Sequence, residues 1–69
     1  MEDQTYARAR LVKKLPAAEY YDQFVIGEVY GYYKGRIKDK IFTFVYLPDD
    51  PIPVIMSLKI FRNRMEVLN

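Results

Sequence analysis

Neither cysteine nor histidine occurs in this chain of 69 residues, and that double absence restricts the fold more than any motif does. Domains this small sit near the lower limit for burying enough apolar surface to fold alone, and many add disulfides or a structural zinc. With no thiol and no imidazole, neither staple is available here. Stability has to come from side-chain packing, and seven Tyr and four Phe in a composition that is 51% hydrophobic supply the material. The same absence removes the imidazole general base and the thiolate nucleophile, so the chain is read as a non-enzyme with no cofactor.

Residues 1–69 form one domain by length, with 1–4 expected as a flexible N-terminus. No run approaches the ~20 consecutive apolar residues of a membrane-spanning helix. Glu2 and Asp3 stand where a secretory signal carries basic residues, so a cytoplasmic setting without a membrane partner is expected.

Alternation organises the chain. From Thr5 to Val12, Ala7, Ala9 and Leu11 share one side and Tyr6, Arg8, Arg10 and Val12 the other, the pattern of a half-buried strand. Pro16 followed by Ala17, Ala18 and Glu19 predicts one or two helical turns or an ordered loop through Asp22. Gly27 marks a turn, and Glu28 to Tyr33 is aromatic and strand-prone, with Gly31 suited to a bulge or bend. A polar connection is expected from Lys34 to Lys40. Ile41 to Leu47 has two apolar sides, Ile41, Thr43, Val45 and Leu47 against Phe42, Phe44 and Tyr46; such a strand is central, and a side left open becomes an interaction surface. Pro48-Asp49-Asp50-Pro51 predicts a turn. A short strand at Val54 to Met56, a helical turn over Leu58 to Phe61 capped by Ser57, and a last strand from Arg64 to Leu68 complete the chain. Ala7, Ala9, Leu11, Val29, Val45, Ile55 and Val67 are the expected core, with Phe24, Phe44 and Phe61 more buried than Tyr6, Tyr20 and Tyr32.

Five short strands with a long connection after the first and a helical turn before the last predict an all-β fold, a small five-stranded Src-homology-3-like barrel whose first and last strands pair. An oligonucleotide-binding type of barrel ranks second. Phe24, Gly27 and Tyr30, the acidic turn at Asp49 and Asp50, and the segment Phe61 to Val67 also resemble a loose class of small bacterial and bacteriophage-encoded Src-homology-3-like barrel proteins. That resemblance implies the barrel and a small accessory protein of viral or mobile-element type, acting on a larger macromolecule.

No catalytic or metal-binding set stands out. Asp49 and Asp50 read as a solvated turn and Ser57 as a cap, with no oxygen-ligand loop at calcium spacing. Net charge is +2, modest for a dedicated nucleic-acid binder, but the basic residues cluster. Tyrosine and arginine are enriched at binding hot spots. The expected partner-binding residues are therefore Tyr6, Arg8, Arg10, Tyr30, Tyr32, Arg62 and Arg64, with pairing of the terminal strands assembling the four arginines. The expected function is a non-catalytic protein-interaction module, possible self-association included. The alternative is a small DNA- or RNA-binding barrel that uses basic and tyrosine residues.

Overall fold

The computed structural model describes residues 7–68; the segment 1–4 and Tyr6 lie outside the described residues. The alternation near the N-terminus produces a strand, β1 (Ala7–Leu11). β2 (Val29–Ile37) and β3 (Lys40–Tyr46) follow, then β4 (Val54–Ser57), helix α1 (Leu58–Arg64) and β5 (Met65–Leu68). All ladders are antiparallel, in the order β4-β3-β2-β1-β5.

The first and last strands pair as expected, Arg8 opposite Leu68 and Arg10 opposite Glu66. The sheet, however, does not close into a barrel: β4 and β5 are its two edges. Helix α1 has seven residues where a single turn was expected, and at about 1.5 Å per residue it carries the chain roughly 10 Å between those edges without a ladder joining them. Its start is set as expected, with the Ser57 hydroxyl accepting from the Ile60 N–H at 3.2 Å.

Two other expectations change, while the segment after β1 stays within what was expected. The polar stretch from Lys34 to Lys40 is not a connection; β2 and β3 run through it and turn at Lys38 and Asp39 alone. Both ladders of β2 pass Gly31 in regular register, without a bulge. Between Leu11 and Val29 only Glu19–Tyr21 is helical, as a single 3₁₀ turn. The base of this long connection is pinned by Leu11 N–H donating to the Glu28 carbonyl at 3.0 Å and Gly27 N–H donating to the Leu11 carbonyl at 2.7 Å. Gly27 sits at φ 98°, a conformation costly for any residue with a Cβ.

One side of the sheet carries the core. Ala9 and Leu11 of β1, Tyr30 and Tyr32 of β2, Thr43 and Val45 of β3, Met56 of β4 and Met65 of β5 are buried there. Phe61 of α1 and Leu15, Tyr21 and Phe24 of the long connection close over them. Thr43 is fully buried, and its hydroxyl donates to the Met56 carbonyl at 2.9 Å, so its polar atom is satisfied.

The expected core is right at Ala9, Leu11 and Val45 and wrong elsewhere. Val29 and Ile55 are out of phase: they lie opposite Arg10 and Phe44, on the other side of the sheet. Ala7 and Val67 are in phase but stand at a strand end and on an edge strand, and both are exposed. The aromatic ranking holds for Phe24, Phe61 and Tyr20 but fails for Tyr32, which is buried at 6% exposure while Phe44 is half-buried.

Candidate partner-binding face

Because side chains alternate along a strand, the register that places Ala9, Tyr32, Val45 and Met56 in the core sends their neighbours to the opposite side. That side carries Arg8 and Arg10 on β1, Val29 and Tyr33 on β2, Phe42, Phe44 and Tyr46 on β3, and Ile55 on β4. Of the described elements, α1 and the segment after β1 contribute to the core side, while Tyr20, Asp50, Ile52 and Pro53 line a concavity together with Ile55.

Its centre is aromatic. Tyr33 and Phe44, opposite each other across the β2–β3 ladder, stack with ring centroids 4.9 Å apart and planes 7° from parallel. Tyr46 stands 6.1 Å from Tyr33 at 40°. The Phe44 ring leans over Gly35, where a Cβ would come within 2.6 Å of the ring. The missing side chain is what lets the ring lie down on the sheet. Tyr33 remains 38% exposed and Ile55 48%; Phe42, Phe44 and Tyr46 are half-buried.

Arg8 and Arg10 border this aromatic patch, both exposed. Glu66 lies opposite Arg10 on β5, yet neither guanidinium forms an ion pair among the described residues. Their donor forks therefore stay available for carboxylate, phosphate or ring faces.

The other expected site residues are elsewhere. Tyr30 and Tyr32, expected at the binding surface, are only 4% and 6% exposed. The Tyr30 hydroxyl accepts from the Val25 N–H at 2.8 Å, and its ring meets Phe24 edge-on at 4.8 Å. Tyr32 packs on Phe61 at 4.6 Å. Both rings serve the core because even-numbered β2 positions face it. Arg62 and Arg64 belong to the last turn of α1 instead of to β5. Arg62 is exposed, whereas Arg64 is half-buried and its Nε donates to the Lys14 carbonyl at 3.0 Å. They sit on the helix that covers the core side, so the expected cluster of four arginines does not assemble. Phe42, Phe44 and Ile55, which were not among the expected site residues, are the ones that join Arg8 and Arg10. The signal for the two phenylalanines was the doubly apolar strand from Ile41 to Leu47.

A concavity of about 550 Å³ lies beneath the long connection, lined by Leu15, Tyr21 and Phe24 with Lys14 and Asp22. Burial pushes the Tyr21 phenol above its usual range; Tyr20 adds to this and Arg64 opposes it. Asp50 behaves as a turn residue, its Oδ1 accepting from the Ile52 N–H at 3.0 Å. Among the described residues no three metal-ligating side chains converge, and no helix is long and apolar enough to cross a membrane. No family model, curated protein or solved structure matches the chain.

Proposed function

We propose that this chain is a non-catalytic protein-interaction module, an accessory protein or inhibitor that acts on a larger macromolecule in the cytoplasm. Its docking surface is the aromatic side of the sheet. The observation that carries this reading is the apolar area that Val29, Phe42, Phe44 and Ile55 leave exposed or half-buried on one sheet side, with the exposed Arg8 and Arg10 beside it. Aromatic anchors bordered by arginine are the composition of protein hot spots. A small domain also gains burial from a partner, whether another protein or a second copy.

A protein partner is favoured over nucleic acid at this surface. Tyr33 and Phe44 spend one ring face on each other, which leaves less π-surface for bases. Ile55, Val29 and Leu68 add aliphatic area that stacking does not use. As the finer architecture we propose the Src-homology-3-like arrangement, with the accessory-protein role that its resemblance implies. Pairing of β1 with β5, the long connection after β1 and a helix immediately before β5 support it.

The test is a photo-crosslinking amino acid placed at Ile55, compared with one at Asn63, which is exposed on α1. A defined protein adduct is expected from Ile55 alone, and the purified pair should bind less tightly after Arg8→Glu with Arg10→Glu. Equal crosslinking from both positions, or unchanged binding by the double variant, would remove the assignment. Light scattering of the purified chain separates a second copy from a different protein.

A further inference from the structure

The β2–β3 hairpin outruns the rest of the sheet. β4 pairs with β3 only from Phe42 to Val45, and β1 pairs with β2 only from Val29 to Tyr32. The pairs Arg36–Ile41 and Ile37–Lys40, with the turn at Lys38 and Asp39, thus form a two-stranded ribbon with no neighbouring strand among the described residues. Arg36, Lys38 and Lys40 are exposed along it and Lys34 just behind its base, against Asp39 as its one acid. None of these cations is ion-paired among the described residues. The register distributes them: Lys34 and Arg36 follow the phase of Tyr32, Lys40 takes the opposite phase opposite Ile37, and Lys38 stands at the tip.

We propose that this ribbon binds duplex DNA by entering the major groove tip first. The groove is about 12 Å wide and 8.5 Å deep and admits a two-stranded β-ribbon, whose strands lie about 4.8 Å apart. Three residue rows from the Gly35–Phe42 pair to the tip reach about 10 Å, enough for that depth. Cations on both sides of the ribbon suit a groove with a phosphate backbone along each wall, whereas a flat acidic protein surface would meet only one side. Duplex RNA is a poor fit, because its major groove is too narrow for side chains to read.

The backbone at the tip supports the same assignment. Lys38 has φ 56°, a left-handed conformation that two-residue hairpin turns normally give to glycine or asparagine. Holding lysine there keeps a cation at the foremost point of the ribbon against local strain. The hairpin tip is separate from the aromatic surface proposed to dock a protein, and this inference does not rest on that one.

The test is fluorescence anisotropy of the full chain with a short labelled DNA duplex across a salt series. Three to four phosphate contacts predict a roughly 40- to 150-fold loss of affinity between about 50 and 200 mM salt. Lys34→Gln, Arg36→Gln and Lys40→Gln should each lower the salt slope by about one, while Lys59→Gln on α1 changes affinity less than about twofold. Lys38→Asn is the discriminating variant: it should weaken DNA binding and raise the melting temperature, a pair of opposite shifts that a purely structural turn would not produce. Four results would overturn the proposal: no duplex binding at low salt, a slope insensitive to the hairpin variants, Lys38→Asn binding as tightly as the parent, or duplex RNA or polyglutamate competing as well as DNA. Crosslinking from Ile55 is a separate readout, so either proposal can fail alone.

Discussion

Tyr32 and Tyr33 are adjacent in the chain and have opposite fates. Tyr32 is 6% exposed, its ring packed on Phe61 of α1; Tyr33 is 38% exposed and stacked on Phe44 on the other side of the sheet. Residue type is the same and the strand is the same. The pleat alone sends one ring under the helix and the other away from it. A high tyrosine content is therefore no measure of binding surface in so small a domain: the rings at Tyr30 and Tyr32 are core and substitute for the missing staples.

The largest expected contrast is between Phe61 and Phe44. Phe61 is 2% exposed and half-buried Phe44 is not part of the core cluster, so Phe61→Ala should cost about 3–5 kcal/mol and Phe44→Ala roughly 1–2. Urea denaturation measures both. If Phe61→Ala leaves too little folded protein to measure, Phe61→Leu at about 1–2 kcal/mol replaces it. Equal losses for the two alanine variants would erase the distinction between the two sides.

Gly35→Ala sharpens the aromatic side. The new methyl group meets the Phe44 ring, and forcing the ring up should cost about 1–3 kcal/mol. Combined with Phe44→Ala, most of that cost should vanish in a double-mutant cycle. Additive losses would mean that the ring is not what excludes a side chain at this position.

Tyr30→Phe probes the core side at a single hydrogen bond. It removes the acceptor of the Val25 N–H and should cost about 1 kcal/mol, with faster hydrogen exchange of the Val25 amide. Unchanged exchange would show that the hydroxyl does not anchor the long connection.

The smallest effect is confined to alkaline pH. Burial raises the Tyr21 phenol above its ordinary value. For a group whose folded pKa is raised, the stabilisation is complete below the unfolded value of about 10 and is lost as pH rises through the folded one. Denaturation midpoints should therefore fall above about pH 10, and Tyr21→Phe should flatten that fall. An equally steep fall in the variant would assign the alkaline loss to other groups.

Alternation and turn chemistry, both local, were legible in the sequence. They predicted β1, the Ser57 cap, the turn at Asp49 and Asp50, and the doubly apolar strand that supplies both the core and the candidate surface. The pairing of β1 with β5 was expected from a closed barrel and occurs without that closure, β4 and β5 remaining edges. Other features depended on contacts distant in sequence. Cross-strand pairing carried β2 and β3 through the polar residues Lys34 to Lys40, where local composition argued for a connection. Extension of α1 to Arg64 left β4 and β5 as separate edges and put Arg62 and Arg64 on the cover. The burial of Tyr32 and the exposure of Val29 and Ile55 were likewise settled by which side of the sheet α1 and the long connection covered. Alternation divides a strand into two sets of side chains, but with apolar residues in both, only the packing of other elements against one of them decides which set becomes the interior.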